Sequence, residues 1–230
     1  MTTNSATFKT AERRHASFLA AAEKRTLIWI ATRLPARVNS DHLTGLGFTA
    51  IVATGACYWW ASRQPLALLA AIVCLAVNWF GDSLDGTLAR VRNQQRPKYG
   101  FYVDHMLDAL GSFFLATGLA LSGYMSPAVA YAFLVAYLLL SIEVYLATYC
   151  IGTFHLSYWN FGPTELRILL SVGNLFALRN PYAVIAGRRF LLFDVGFSIG
   201  TAALALILVQ AVVSHIRRLY REEPIPQRKG

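Results

Sequence analysis

An all-α membrane protein is the fold class that this sequence predicts, with about six transmembrane helices preceded by an amphipathic helix at the membrane interface. Three observations predict it. The 230 residues are 56% hydrophobic and 14% charged, with a mean hydropathy of +0.44, whereas soluble domains carry about a quarter charged residues. Apolar runs of spanning length recur between residues 43 and 213. The net charge of +9 gathers in segments flanking those runs, an arrangement suited to the positive-inside rule and to anionic lipid head groups. Nucleic acid is therefore not an expected partner.

Residues 1–41 read as a cytosolic N-terminal segment. Met1 to Thr10 is polar and expected to be unstructured, and Ala11 to Leu34 reads as a helix. Leu27, Ile30 and Leu34 recur at i, i+3 and i+7 among Glu23, Lys24, Arg25 and Arg33. That helix is too charged to span and amphipathic enough to lie on the membrane. Trp29 favours the interface over a solvated helix that contacts nothing. No signal-peptide core precedes it, so no cleavage is expected. Pro35 ends it.

Residues 42–214 read as the transmembrane domain. The first span is Leu43 to Ser62, followed by the turn Arg63-Gln64-Pro65. The second runs from Leu66 to Arg92, and Arg90, Arg92, Arg96 and Lys98 form a basic linker. The third runs from Gly100 to Gly123, and an uncharged turn leads to the fourth, Ala128 to Ile151. Glu143 inside the fourth span is either functional or an interhelical hydrogen bond to a Tyr or Ser. The loop Gly152 to Gly162 holds His155, Tyr158 and Trp159, an interfacial aromatic group. His155 is a poor metal ligand, lacking a second His or Cys at ligand spacing. The fifth span starts at Gly162-Pro163, carries Glu165 and Arg167, and ends near Leu178. Arg179 to Arg189 reads as an outer turn.

The last span is Phe190 to Val213, with Asp194 at its start. Its Gly196-x-x-x-Gly200 spacing allows close helix packing, and a homodimer is the expected assembly. Residues 215–230 form a basic cytosolic tail, expected to fray. Cys57, Cys74 and Cys150 lie in apolar runs and read as buried thiols, neither disulfides nor zinc ligands. Lys and Arg concentrate inside, with both termini cytosolic; the outer Arg179, Arg188 and Arg189 are the exception. The expected location is a bacterial inner (plasma) membrane.

The chain is organised around Gly81 to Gly111. Asp82 and Asp85 are three apart, and Asp104 and Asp108 are four apart, so each pair shares one helix face. Small residues flank both pairs: Gly86, Ala89, Gly100 and Gly111. Apolar sequence leads into the first pair and follows the second. An ionised Asp there costs roughly 2.5–3.5 kcal/mol on insertion scales, and clustered carboxylates repel one another. Divalent cations with oxygen ligands remove both penalties. Two of them would match four carboxylates, which points to phosphoryl chemistry. The competing reading is a set of helix caps and a solvated hairpin.

Asp82-x-x-Asp85-Gly86-x-x-Ala89-Arg90, then nine residues, then Gly100-x-x-x-Asp104-x-x-x-Asp108, resembles the signature of the CDP-alcohol phosphotransferase (CDP-alcohol phosphatidyltransferase) family. All eight fixed positions are present. The resemblance implies a multi-pass membrane enzyme with two Mg2+ or Mn2+ ions and an active site facing the cytosol. Such enzymes move a phospho-alcohol from a CDP-linked donor to a hydroxyl acceptor and release CMP.

It assigns Asp82, Asp85, Asp104 and Asp108 to the metals, with Asp108 also taking the acceptor's proton. Gly86, Ala89, Arg90 and Gly100 would bind CDP. The approach to the first span often reads Pro-Asn-x-x-Thr in the family; here Ser40 and Asp41 replace the first two and Thr44 matches. Asp41 and Thr44 are therefore candidates for the nucleotide pocket, although Asp41 also suits a helix cap. Arg167, Glu165 and His105 are candidates for acceptor or phosphate. For Arg167 the alternative is an ion pair with Glu143 or Glu165.

The donor is read as CDP-diacylglycerol in phospholipid biosynthesis. Members with phosphorylated acceptors often carry Arg or Lys after the last Asp, where this chain has Ala109. Asp104-His105-x-x-Asp108 is similar instead to the choline/ethanolamine phosphotransferase branch, which acts on diacylglycerol. Outside the family, a transporter or channel would use Glu143, Glu165, Arg167 and Asp194 as a charged path, but no inverted repeat supports it. A catalytically dead scaffold is the third possibility.

Overall fold

The computed structural model describes residues 18–151, 163–223 and 225. Met1 to Thr10, the aromatic loop with His155, Tyr158 and Trp159, and the last residues of the tail lie outside them. The described residues are 82% helical and form seven helices. These are α1 Phe18–Arg33, α2 Ser40–Ala61, α3 Ala67–Val91, α4 Pro97–Leu121, α5 Pro127–Ile151, α6 Pro163–Arg179 and α7 Leu192–Glu222.

Three of them, α3, α5 and α7, are long and apolar enough to cross a membrane, with mean hydropathies of 1.8, 2.0 and 2.1. At 1.5 Å per residue, α2 and α4 have comparable lengths, and α4 carries its polar residues in its first half. The helix α6, with 17 residues, is shorter than α2 to α5 and α7.

The centre of the bundle is α2, strapped between α3 and α4 by glycines. A Cβ on Gly81 of α3 would lie 2.7 Å from the Gly47 nitrogen and the Leu43 carbonyl of α2. One on Gly118 of α4 would run into the Gly55 backbone, and one on Gly55 into the Phe114 carbonyl. Small residues of this kind allow helix backbones to touch. The main core lies toward the far ends of these helices, around Tyr58, Leu68, Leu75, Leu119, Met125 and Phe193. There the Tyr58 hydroxyl donates to Asn174 Oδ1 of α6 at 3.0 Å, and both side chains are fully buried. A smaller core joins Leu27 and Ala31 of α1 to Leu43, Leu84 and Leu88. The helix α1 therefore packs on the bundle, which rules out a solvated helix that contacts nothing. Arg92 fastens this junction, donating to the carbonyls of Leu34 at 2.9 Å and Pro35 at 3.0 Å, and to that of Val38.

Several expectations change. Arg179 to Arg189 is not a simple turn: β1 Tyr182–Ile185 pairs antiparallel with β2 Arg188–Leu191. Ala186 and Gly187 between them have φ of 49° and 76°, the two left-handed residues of a tight hairpin turn. Phe190 thus belongs to a strand, and α7 starts at Leu192. His215 to Glu222 is helix instead of frayed tail, held by the His215 and Arg218 contacts to Glu143 and Glu222. Asn39, not Asp41, caps α2: its side chain accepts from the His42 amide at 2.9 Å. Cys150 is exposed and Cys57 and Cys74 are half-buried; all three are free thiols. A Cβ on Gly200 would meet the Phe133 ring of α5 at 3.1 Å, so this half of the glycine pair packs within the chain.

Candidate active site

The acidic residues sit where α3 nears its end and α4 begins. Gly81 is pressed against α2, and that contact carries the next residue, Asp82, into the groove between the helices. On α4 the four-residue spacing stacks Asp104 and Asp108 on one face. One carboxylate oxygen each from Asp82, Asp104 and Asp108 lies within 4.8 Å of the others. Three carboxylates this close repel strongly unless a cation sits among them, and hard divalent ions take oxygen ligands of this kind.

Asp85 stands beside that set and is held by α2. Thr44 Oγ1 donates to Asp85 Oδ2 at 2.6 Å, Ser40 Oγ donates to the Asp85 carbonyl at 3.1 Å, and the Gly86 amide donates to Asp85 Oδ1. The structure therefore brings three of the four predicted carboxylates into one cluster. It gives the fourth a neighbouring place, with Thr44 as its partner.

Arg167 reaches the same spot from α6. Its NH2 donates to Asp82 Oδ2 and its Nε to Asn78 Oδ1, both at 2.7 Å. Asn78 in turn donates to the Gly47 carbonyl at 2.9 Å. Asp82 is a partner not expected beside Glu143 and Glu165; α6 runs antiparallel to α3 and brings its first turns beside Asp82, while Glu143 meets His215. Asn78 went unnoticed in the sequence. The signal was a lone Asn in an apolar run, four residues before Asp82 and so on its helical face.

The other candidates fall into two groups. Arg90 belongs with the site: its guanidinium lies 3.4 Å from where a Gly86 Cβ would stand, and it donates to Thr87 Oγ1 at 3.0 Å. Ala89 is half-buried on the same helix. Gly100 faces open space, with nothing within 4 Å of an added Cβ. Asp41 pairs with Arg96 of the linker, both half-exposed. The His105 ring stacks on Phe101 at 4.1 Å and meets Tyr145 at 4.9 Å, with Nδ1 2.7 Å from the Phe101 carbonyl. Glu165 is exposed in the first turn of α6.

Glu143 and Asp194 lie elsewhere. Glu143 meets His215 of α7, a partner not foreseen. Asp194 accepts from the Ser126 amide at 2.7 Å, closing the turn between α4 and α5. Each of these two carboxylates is thus engaged away from Arg167, which pairs with Asp82.

A comparison with curated proteins finds no match. A family model, that of CDP-alcohol phosphatidyltransferase, matches residues 40–215. Members of that family typically depend on a divalent metal, and the Asp cluster is a set of ligands able to hold one. The chain belongs to the CDP-alcohol phosphatidyltransferase family and is thus a phosphatidyl-transfer enzyme of lipid synthesis.

Proposed function

We propose that the acidic cluster transfers the phosphatidyl group of CDP-diacylglycerol to a hydroxyl acceptor, releasing CMP. The observation that carries this is the convergence of Asp82, Asp104 and Asp108 from two helices within 4.8 Å, beside Gly86 and Arg90. Six helices, α2 to α7, cross the membrane in this reading, with the cluster at the cytosolic face and α1 at the interface. The charge distribution supports it: the α3–α4 linker and the end of α7 are rich in Arg.

In this reading Asp82, Asp104 and Asp108 hold two Mg2+ or Mn2+ ions, with Asp85 completing the acidic set. The bound ions would neutralise the donor's diphosphate and stabilise the departing CMP. Arg167 and Asn78 orient Asp82. Thr44 orients Asp85. The bare backbone at Gly86 and the short side chain of Ala89 let the nucleotide come close, and Arg90 faces its phosphates. Asp108 accepts the proton of the acceptor hydroxyl as that oxygen attacks the phosphorus next to diacylglycerol. The new oxygen–phosphorus bond forms as the bond to CMP breaks.

The test is a release assay on the purified chain in vesicles. Radiolabelled CDP-diacylglycerol with a panel of hydroxyl acceptors should yield CMP. CMP from CDP-choline or CDP-ethanolamine with diacylglycerol, and none from CDP-diacylglycerol, would move the enzyme to the other branch.

A further inference from the structure

We infer that the β1–β2 hairpin is a docking surface for the anionic phospholipid head groups of the leaflet opposite the acidic cluster. Its position comes first. Asn174 of α6 lies at the Leu68 carbonyl near the start of α3, and Arg167 lies at Asp82 near its end. The C-terminal end of α6 is therefore remote from the cluster, and the hairpin follows it. On the other side β2 ends at Leu191 and α7, the most apolar of the candidate spans, begins at Leu192. If α7 spans, as proposed above, the hairpin stands at the membrane boundary with no linker to lift it away.

Its surface has the composition that such a boundary favours. Val184 is 65% exposed, Ile185 47% and Phe190 45%, and they are divided between the two faces of the ladder. A two-stranded hairpin uncovered on both sides is marginal in water. The register then sets each arginine opposite an aliphatic side chain: Ile185 faces Arg188, and Val184 faces Arg189. Cross-strand partners share a face, so each face offers an apolar side chain with a guanidinium beside it. That pairing suits the acyl–head-group boundary, where the apolar part enters and the guanidinium meets phosphate bidentately. Among the described residues no carboxylate pairs with Arg188 or Arg189, nor with Arg179 at the end of α6. These three are the arginines that violate the positive-inside pattern. Attraction to anionic lipid gives them a reason to be there.

The test places a fluorophore at Val184→Cys in the full chain with its native cysteines replaced by alanine, reconstituted in vesicles. Matched vesicles contain brominated phosphatidylglycerol or brominated phosphatidylcholine at equal fraction, and iodide probes the water side. Brominated phosphatidylglycerol should quench more strongly. The R188Q/R189Q double variant should lose that preference, by about fivefold per arginine at the lipid surface. CMP release by the same variant, unchanged because the hairpin is far from the cluster, shows that it has folded. Free access of iodide with no lipid quenching overturns the inference. So does equal quenching by both lipids, and so does protection from iodide and lipid alike, which would mean that protein covers the hairpin.

Discussion

Two carboxylate sites share this bundle, and they are built in opposite ways. At one, Asp82, Asp104 and Asp108 come together from two helices, and the Asp82 and Asp104 side chains keep 31% and 39% of their surface exposed. At the other, Glu143 is alone on α5, its side chain 10% exposed, with His215 on one oxygen and, among the described residues, no hydrogen-bond partner on the other. The first collects more negative charge than its neighbours neutralise and leaves it reachable. The second pairs one acid with one base and closes over them. A carboxylate inside an apolar helix marks function only when charge accumulates at an open site; a lone buried one can serve as a pin between two helices, here α5 and α7.

The comparison can be broken most forcefully at the open site. Removal of divalent ions by EDTA should abolish CMP release, and Mg2+ or Mn2+ should restore it; release that continues in saturating EDTA would end the metal reading. Next in size is Asp108→Asn, which keeps an oxygen ligand and removes the base. Turnover should fall by about two to four orders of magnitude. Donor binding, measured by titration, should stay within roughly tenfold, about 1.4 kcal/mol. Near-normal turnover would reduce Asp108 to a peripheral ligand and make His105 or Glu165 the next base to test.

The closed site should answer in stability and not in rate. His215→Ala leaves a buried Glu143 without its partner, a loss that costs about 3–5 kcal/mol at fully buried pairs and less at this partly exposed one. The midpoint of thermal unfolding should drop while turnover per folded molecule holds. A collapse of turnover at full stability would make Glu143 part of the chemistry. The smallest effect belongs to glycine. Gly100→Ala meets open space and should leave the free energy of unfolding within about 0.5 kcal/mol, whereas Gly81→Ala drives a methyl into the α2 backbone and should lower it clearly.

Most of the bundle was legible in the sequence because hydropathy and helical spacing are local signals. The ends of α3 and α5 fall within a residue or so of the apolar runs. The acidic pairs were legible for the same reason, since i, i+3 and i, i+4 spacings fix a shared face. What escaped was tertiary. Nothing near Arg167 announces Asp82, 85 residues away, and the i−4 place of Asn78 acquires meaning only once α6 lies against it. The hairpin was missed because its strands are four residues each, with Gly187 as the single turn signal amid arginines. His215 looked like tail until α5 supplied its partner.

The glycine crossings also set a direction for change. Where α2 meets α3 at Gly47 and Gly81, and α4 at Gly55 and Gly118, backbone already touches backbone. Glycine is the smallest residue, so every substitution at these four positions adds volume and none removes it. Sequence drift there can only push the helices apart. The spacing between the two acidic helices thus rests against a hard stop: it can be lost by a single methyl group, and no side-chain change at the crossings can make it tighter.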